Sequence, residues 1–162
     1  MKRETVGRPM EILLVEDSLS DAGLTIEALK TGDIKCRVSL VRDGDEAIQF
    51  LDQQEIYTRA PRPDLILLDL NLPKKSGREV LAEIRGSEQF HEMPVVVLTV
   101  SRVHEAILKE EKLDVDSYMV KPVDLGQFLE VIKALHRFWL ADVVLPPVSA
   151  IDAAMPIVSE VR

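Results

Sequence analysis

The stretch Pro63-Asp64-Leu65-Ile66-Leu67-Leu68-Asp69-Leu70-Asn71-Leu72-Pro73 decides the fold. Leu65 to Leu68 is a continuous apolar run, short and flanked by prolines. Such a run reads as a strand buried on both faces, the kind found in parallel sheets covered by helices. Asp69 closes it. A carboxylate there is badly placed for packing and well placed for chemistry, because ligands bind at the carboxyl ends of strands in open α/β sheets. Taken alone, Asp69 also suits a turn or a helix cap, so the rest of the chain has to decide.

Reading outward, the same design recurs. Glu11 to Val15 is a first buried strand and runs straight into Glu16-Asp17. Asp17 to Ser20 offers caps for a helix reaching about Lys30, with Ala22, Ile26 and Leu29 on one face and Gly32 as its stop. Cys36 to Val41 is a second strand and Asp45 to Gln53 a second helix; Gln54 to Arg62 is a polar connection. After the strand ending at Asp69, Arg78 to Arg85 is a third helix. Pro94 to Leu98 is a fourth strand, ending at Thr99, and Arg102 to about Lys112 a polar helix. Asp116 to Val120 is a fifth strand, ending at Lys121-Pro122. Asp124 to about Leu140 is the last helix, with Asp124 and Gln127 spaced as a capping box. This alternation predicts α/β architecture with a parallel sheet between two helical layers. The known fold that fits is the flavodoxin-like three-layer sandwich: five parallel strands in the order 2-1-3-4-5, with five helices. Residues 1–9 are expected to be a flexible lead, 10–140 the folded domain, and 141–162 a tail packed on the domain or on a partner.

The chain has 162 residues, 46% of them hydrophobic, which suits a single well-filled core. A net charge of −8 argues against generic nucleic-acid binding, which needs basic patches. The single cysteine, Cys36, allows no internal disulfide and fits a reducing, cytoplasmic setting. No run approaches the ~20 apolar residues of a membrane span, and the polar start does not resemble a signal peptide.

In a parallel sheet, four strands deliver polar groups to one edge: Glu16 and Asp17, Asp69, Thr99, and Lys121. Three carboxylates brought together repel one another, and a divalent cation relieves that. Oxygen ligands without clustered Cys or His favour Mg²⁺. Asp17 and Asp69 are the expected direct ligands, with the main-chain carbonyl of Asn71 as another and Glu16 acting through water. A carboxylate can accept a phosphoryl group as an acyl phosphate. Asp69 is the candidate acceptor. Lys121 would neutralise the transferred group and the Thr99 hydroxyl would donate to one of its oxygens.

Val15-Glu16-Asp17, Asp69-Leu70-Asn71-Leu72-Pro73 followed by Ser76-Gly77, Leu98-Thr99, and Tyr118 before Lys121-Pro122 together resemble the receiver domains of two-component response regulators, the chemotaxis-regulator-like group, over about residues 10 to 140. The resemblance implies a signalling protein, not an enzyme in the ordinary sense: Asp69 takes its phosphoryl group from a phosphohistidine on a sensor histidine kinase. It implies that Thr99 and Tyr118 form a switch, and that the Lys121–Pro122 bond is cis. Glu16 stands where many members have Asp. The connection Gln54 to Arg62, the phrase Pro73-Lys74-Lys75-Ser76-Gly77-Arg78-Glu79-Val80-Leu81, and the ending Phe138-Trp139-Leu140 with Leu145-Pro146 look like the small stand-alone regulators paired with bacterial phytochromes, which implies a phytochrome kinase as donor.

The residues after about 140 are too few for an output domain, so a protein contact is the expected output. Val131, Phe138, Trp139 and Leu140 spread apolar surface beyond one stripe of the last helix. They suggest a homodimer through the fourth helix, fifth strand and last helix. Two rivals stand beside this reading. One is a degenerate receiver serving as a constitutive dimerisation or binding module. The other is a Mg²⁺-dependent aspartyl-phosphate phosphatase of the haloacid dehalogenase type. Asn71, where that class needs an acidic proton donor, counts against the phosphatase.

Overall fold

In the computed structural model, which describes residues 8–31 and 35–135, buried strands and capped helices alternate as the sequence predicts. The elements are β1 (Met10–Val15), α1 (Leu19–Lys30), β2 (Cys36–Val41), α2 (Gly44–Leu51), β3 (Leu65–Asp69), α3 (Gly77–Arg85), β4 (Val95–Thr99), α4 (Arg102–Glu110), β5 (Ser117–Val120) and α5 (Leu125–Ala134). All strand pairs are parallel, in the order β2-β1-β3-β4-β5. This is the flavodoxin-like order.

Side chains alternate across each strand, so each strand feeds two cores. Met10, Ile12 and Leu14 join Leu65, Leu67, Val96, Leu98 and Met119 in one layer, closed by Ala22 and Leu29 of α1 and Phe128, Leu129 and Ile132 of α5. Leu13 and Val15 join Ile66, Leu68, Val95 and Val97 in the other, under α2, α3 and α4. Each such Val, Leu or Ile contributes about 1.5–3 kcal/mol by leaving water. Cys36 lies in the first layer as a core thiol.

Each helix starts on a side chain that accepts a main-chain N–H: Ser18, Asp43, Ser76, Ser101 and Asp124. Such caps are each worth about 1 kcal/mol. The full capping box belongs to Ser76 and Glu79, not to Asp124 and Gln127. Asp124 does accept from the Gln127 N–H. The Gln127 side chain instead accepts from Val120 N–H at 2.5 Å and donates to Val120 O at 3.1 Å. It thereby occupies main-chain groups of the edge strand β5, a better use for an amide than a solvent-exposed cap. The polar connection Gln54 to Arg62 contains a short 3-10 turn, Glu55–Tyr57. Tyr57 anchors it by packing on Phe50 and donating to Glu46.

Val131, expected at an interface, is buried with 7% exposure in the layer under α5. It follows Phe128 by three positions and so shares its inward face. Phe138, Trp139, Leu140 and the Gly32 stop lie outside the described residues. Leu135 ends α5 in an extended conformation.

Two glycines bring the segment after Asp69 into place. A Cβ on Gly77 would sit 2.4 Å from Leu70 Cα and 2.6 Å from Asp69 O, and one on Gly44 would sit 1.8 Å from Lys75 O. These are backbone atoms, which cannot swing aside. Gly77→Ala is therefore expected to cost about 1–3 kcal/mol, as overpacking does. Gly23→Ala, on the open side of α1 with nothing near its Cβ, should gain about 0.5–1 kcal/mol. Urea unfolding of the two variants measures both, and equal midpoints would contradict the close approach.

Candidate functional site

Register places the site. Glu16 follows β1, Asp69 ends β3 and Lys121 follows β5, all at the carboxyl edge of the sheet. Counting by twos from Ile12, Leu67 and Met119 puts all three on the face that carries α1 and α5. The Lys121 ammonium meets carboxylates there: Glu16 Oε1 at 2.8 Å, Asp69 Oδ2 at 3.0 Å and Asp21 Oδ2 at 3.2 Å. Glu16 is 1% exposed and Asp69 9%. Asp69 Oδ1 accepts the Asn71 N–H at 2.9 Å, so the carboxylate is held at both oxygens. Asp17 is exposed beside the site, and its main-chain carbonyl accepts from Arg42 at 3.2 Å.

The electrostatics follow from burial. Burial pushes the Glu16 carboxyl above its ordinary value, and the neighbouring Asp69 adds to that. The Lys121 ammonium and the Ser18 N–H, which donates to Oε2 at 3.2 Å, pull the other way. For Lys121, burial favours the neutral amine, but Glu16 and Asp69 outweigh it and raise the ammonium's pKa.

The remaining expected residues sit close by but are directed elsewhere. Thr99 is buried and donates to Ser101 O at 3.2 Å. Tyr118 is half-buried; its hydroxyl reaches Leu108 O on α4 at 3.4 Å, with Lys109 over its ring. Burial, then Glu111 and Glu105, raise its phenol pKa. The register pairs Val97 with Tyr118 and Thr99 with Val120, so Thr99 and Tyr118 share the face opposite to Glu16, Asp69 and Lys121. The Lys121–Pro122 bond is cis.

Sequence reasoning missed Asp21. A carboxylate three residues after Ser18 reads as a cap partner, and nothing in the spacing says that it turns to a lysine a hundred positions on. It missed Gly44 as well. The signal there was Gly at the start of the second helix, which points to a close neighbour only once the segment after Asp69 is folded over it.

A divalent cation fits the donor set. Glu16, Asp17, Asp21 and Asp69 outnumber Lys121 at this edge, and the imbalance favours a bound positive charge. Among the described residues no three Asp, Glu, His or Cys side chains form a metal cage by themselves. An ion here would take one or two carboxylates and complete its shell from main-chain, water or phosphoryl oxygens.

Comparison with known proteins bears on the sequence and the fold as a whole. The profile of the response regulator receiver domain matches residues 12–133. Response regulator Rcp1 of Synechocystis sp. is 46% identical over 138 residues, covering 85% of this chain and 94% of Rcp1. Its Mn²⁺-bound crystal structure superposes with a TM-score of 0.64, over 86% of this chain and 100% of that one. The bacteriophytochrome response regulator RtBRR is 39% identical with a TM-score of 0.75, over 91% of this chain and 89% of its own. The phosphorylated cyanobacterial phytochrome response regulator RcpA is 44% identical with a TM-score of 0.65, over 86% and 100%.

Removing the ammonium tests the electrostatics. In Lys121→Met, Glu16 keeps its burial and loses the main group that lowers its pKa, so its titration midpoint should move up further. Carboxyl ¹³C NMR across an acid titration reads the shift; an unchanged midpoint would mean that the ammonium does not face Glu16.

Proposed function

We propose, from the premise that this chain belongs to the response regulator receiver family, that Asp69 is its phospho-acceptor and that Lys121, Thr99 and a bound Mg²⁺ carry the transfer. The observation that supports this best is the Lys121 ammonium 3.0 Å from Asp69 Oδ2 at the carboxyl edge of the sheet. Asp69 attacks phosphorus, the P–N bond of a phosphohistidine breaks, and an acyl phosphate forms while the imidazole leaves. Asp17, Asp69 and the Asn71 carbonyl would hold the metal, which would supply positive charge to the transferred group. Glu16, with both oxygens already engaged by Lys121 and Ser18, would serve the metal through water. Thr99 would give up Ser101 O for a phosphoryl oxygen, and Tyr118 would follow it inward.

The donor is proposed to be a sensor histidine kinase of the phytochrome class, by analogy with RtBRR and RcpA, whose names state that pairing. The chain signals by contact and does not turn over a substrate. Among the described residues no helix is long and apolar enough to cross a membrane, and we place the protein in the cytoplasm. Its output is a protein contact, with a homodimer through α4, β5 and α5 as the leading form. Val103 and Ile107 support it: they leave 72% and 52% of their surface open on the outer side of α4.

Intact mass after incubation with acetyl phosphate and Mg²⁺ is the test. The wild type should gain one phosphoryl group, lost on chelation of the metal, and Asp69→Asn should gain none. No gain in the wild type would favour the constitutive binding module. A sedimentation experiment with and without beryllofluoride checks the dimer, and a monomer in both conditions would exclude it.

A further inference from the structure

We infer that Asp21 is a positioning residue for Lys121, holding the ammonium beside Asp69 so that positive charge is in place before the phosphoryl group arrives. The inference rests on the reading of Asp69 as acceptor. It starts at the N-terminus of α1. Ser18 caps the helix, which puts Asp21 at its third position. A carboxylate there ordinarily reaches back to the main-chain N–H of the cap residue. Glu79 does this in α3, accepting from Ser76 N–H at 2.8 Å. In α1 only half of that box forms. Asp21 N–H donates to Ser18 Oγ, but Ser18 N–H is already given to Glu16 Oε2. The Asp21 carboxylate is thus released from capping, and it reaches Lys121 at 3.2 Å.

The count of donors gives this contact its meaning. An ammonium has three N–H groups, and three carboxylates surround this one: Glu16, Asp69 and Asp21. Phosphorylation changes one of them, because Asp69 becomes an acyl phosphate and its charge moves outward onto phosphoryl oxygens. Lysine sits on a flexible four-carbon stem and holds no fixed geometry of its own. Glu16 alone would be a single pivot. Asp21 adds a second anchor on a different element, and its side chain, 40% exposed against 1% for Glu16, can follow the ammonium outward as the phosphoryl group enters.

The full chain tests this with acetyl phosphate and Mg²⁺, following phosphorylation by intact mass. Asp21→Ala should slow the rate at saturating donor about fivefold, the scale of one partly exposed ion pair. Asp21→Glu should recover more of the rate than Asp21→Asn. In a Lys121→Met background, Asp21→Ala should have no further effect, whereas a merely structural role would slow both backgrounds alike. A rate equal to or above wild type, or the same loss in both backgrounds, would overturn the inference. An independent readout needs no phosphorylation: the ¹³C order parameter of Lys121 Cε should fall in Asp21→Ala and return in Asp21→Glu, and an unchanged value would also overturn it. A wild type that gains no phosphoryl group would strike the Asp69 reading, and the order parameter would then decide Asp21 alone.

Discussion

One ammonium among carboxylates governs this molecule. Lys121 touches Glu16, Asp69 and Asp21, and these four groups come from three separate stretches of the chain: Glu16 with Asp21, Asp69, and Lys121. Buried charge is tolerated only when paired. Glu16, almost wholly out of water, would be costly without the cation, and the cation without its anions. The strands that carry them must therefore end in register at one edge. That requirement ties the order β2-β1-β3-β4-β5 to the chemistry, since β1, β3 and β5 share one face while β4 places Thr99 on the other.

The pairing also requires the backbone around Asp69 to be exact in a mechanical sense. The chain leaves β3, turns through Asn71 and Lys74, and enters α3 with Gly77 N–H donating to Leu70 O at 3.0 Å. Lys74 adopts a left-handed φ of 64°, an uncommon conformation for a side-chain-bearing residue. Its ammonium lies 3.6 Å from Asp43, the cap of α2. Gly44 and Gly77 supply the space in which this segment packs. The Asp69 carboxylate is thus set by a tight turn held from both sides, and at Gly44 and Gly77 a hydrogen atom stands where other residues have a Cβ.

How much of this was legible follows from the range of each interaction. Buried strands announce themselves locally: Leu65 to Leu68 and Val95 to Leu98 are apolar throughout because both faces are covered. A residue that closes such a run is legible too, which is why Glu16, Asp69, Thr99 and Lys121 stood out together. Partner choice is not legible. Asp21 and Gln127 both sit three residues after a cap, as capping partners do, and both bond elsewhere. For Asp21 the competing donor was removed by Glu16; for Gln127 the open edge of β5 offered a better pairing. Val131 failed for another reason. A helix covering a broad sheet buries more than a narrow stripe, so Val131 belongs to the core contact of α5 and not to its outer side.

On the proposed reading, signal leaves the site through hydroxyls already committed elsewhere. Thr99 donates to Ser101 O just before α4, and Tyr118 reaches Leu108 O within it. A neutral hydrogen bond of this kind contributes about 0.5–1.5 kcal/mol net, against about 1.5–3 kcal/mol for one to a charged group. A phosphoryl oxygen can thus outbid Ser101 O for the Thr99 hydroxyl by a margin on the order of 1 kcal/mol, which shifts a two-state equilibrium severalfold but not completely. The carbonyl given up belongs to the segment that leads into α4, the helix that exposes Val103 and Ile107. The weakness of these contacts is therefore what connects a change at Asp69 to a surface a partner can read: a stronger grip on α4 would hold one state under all conditions.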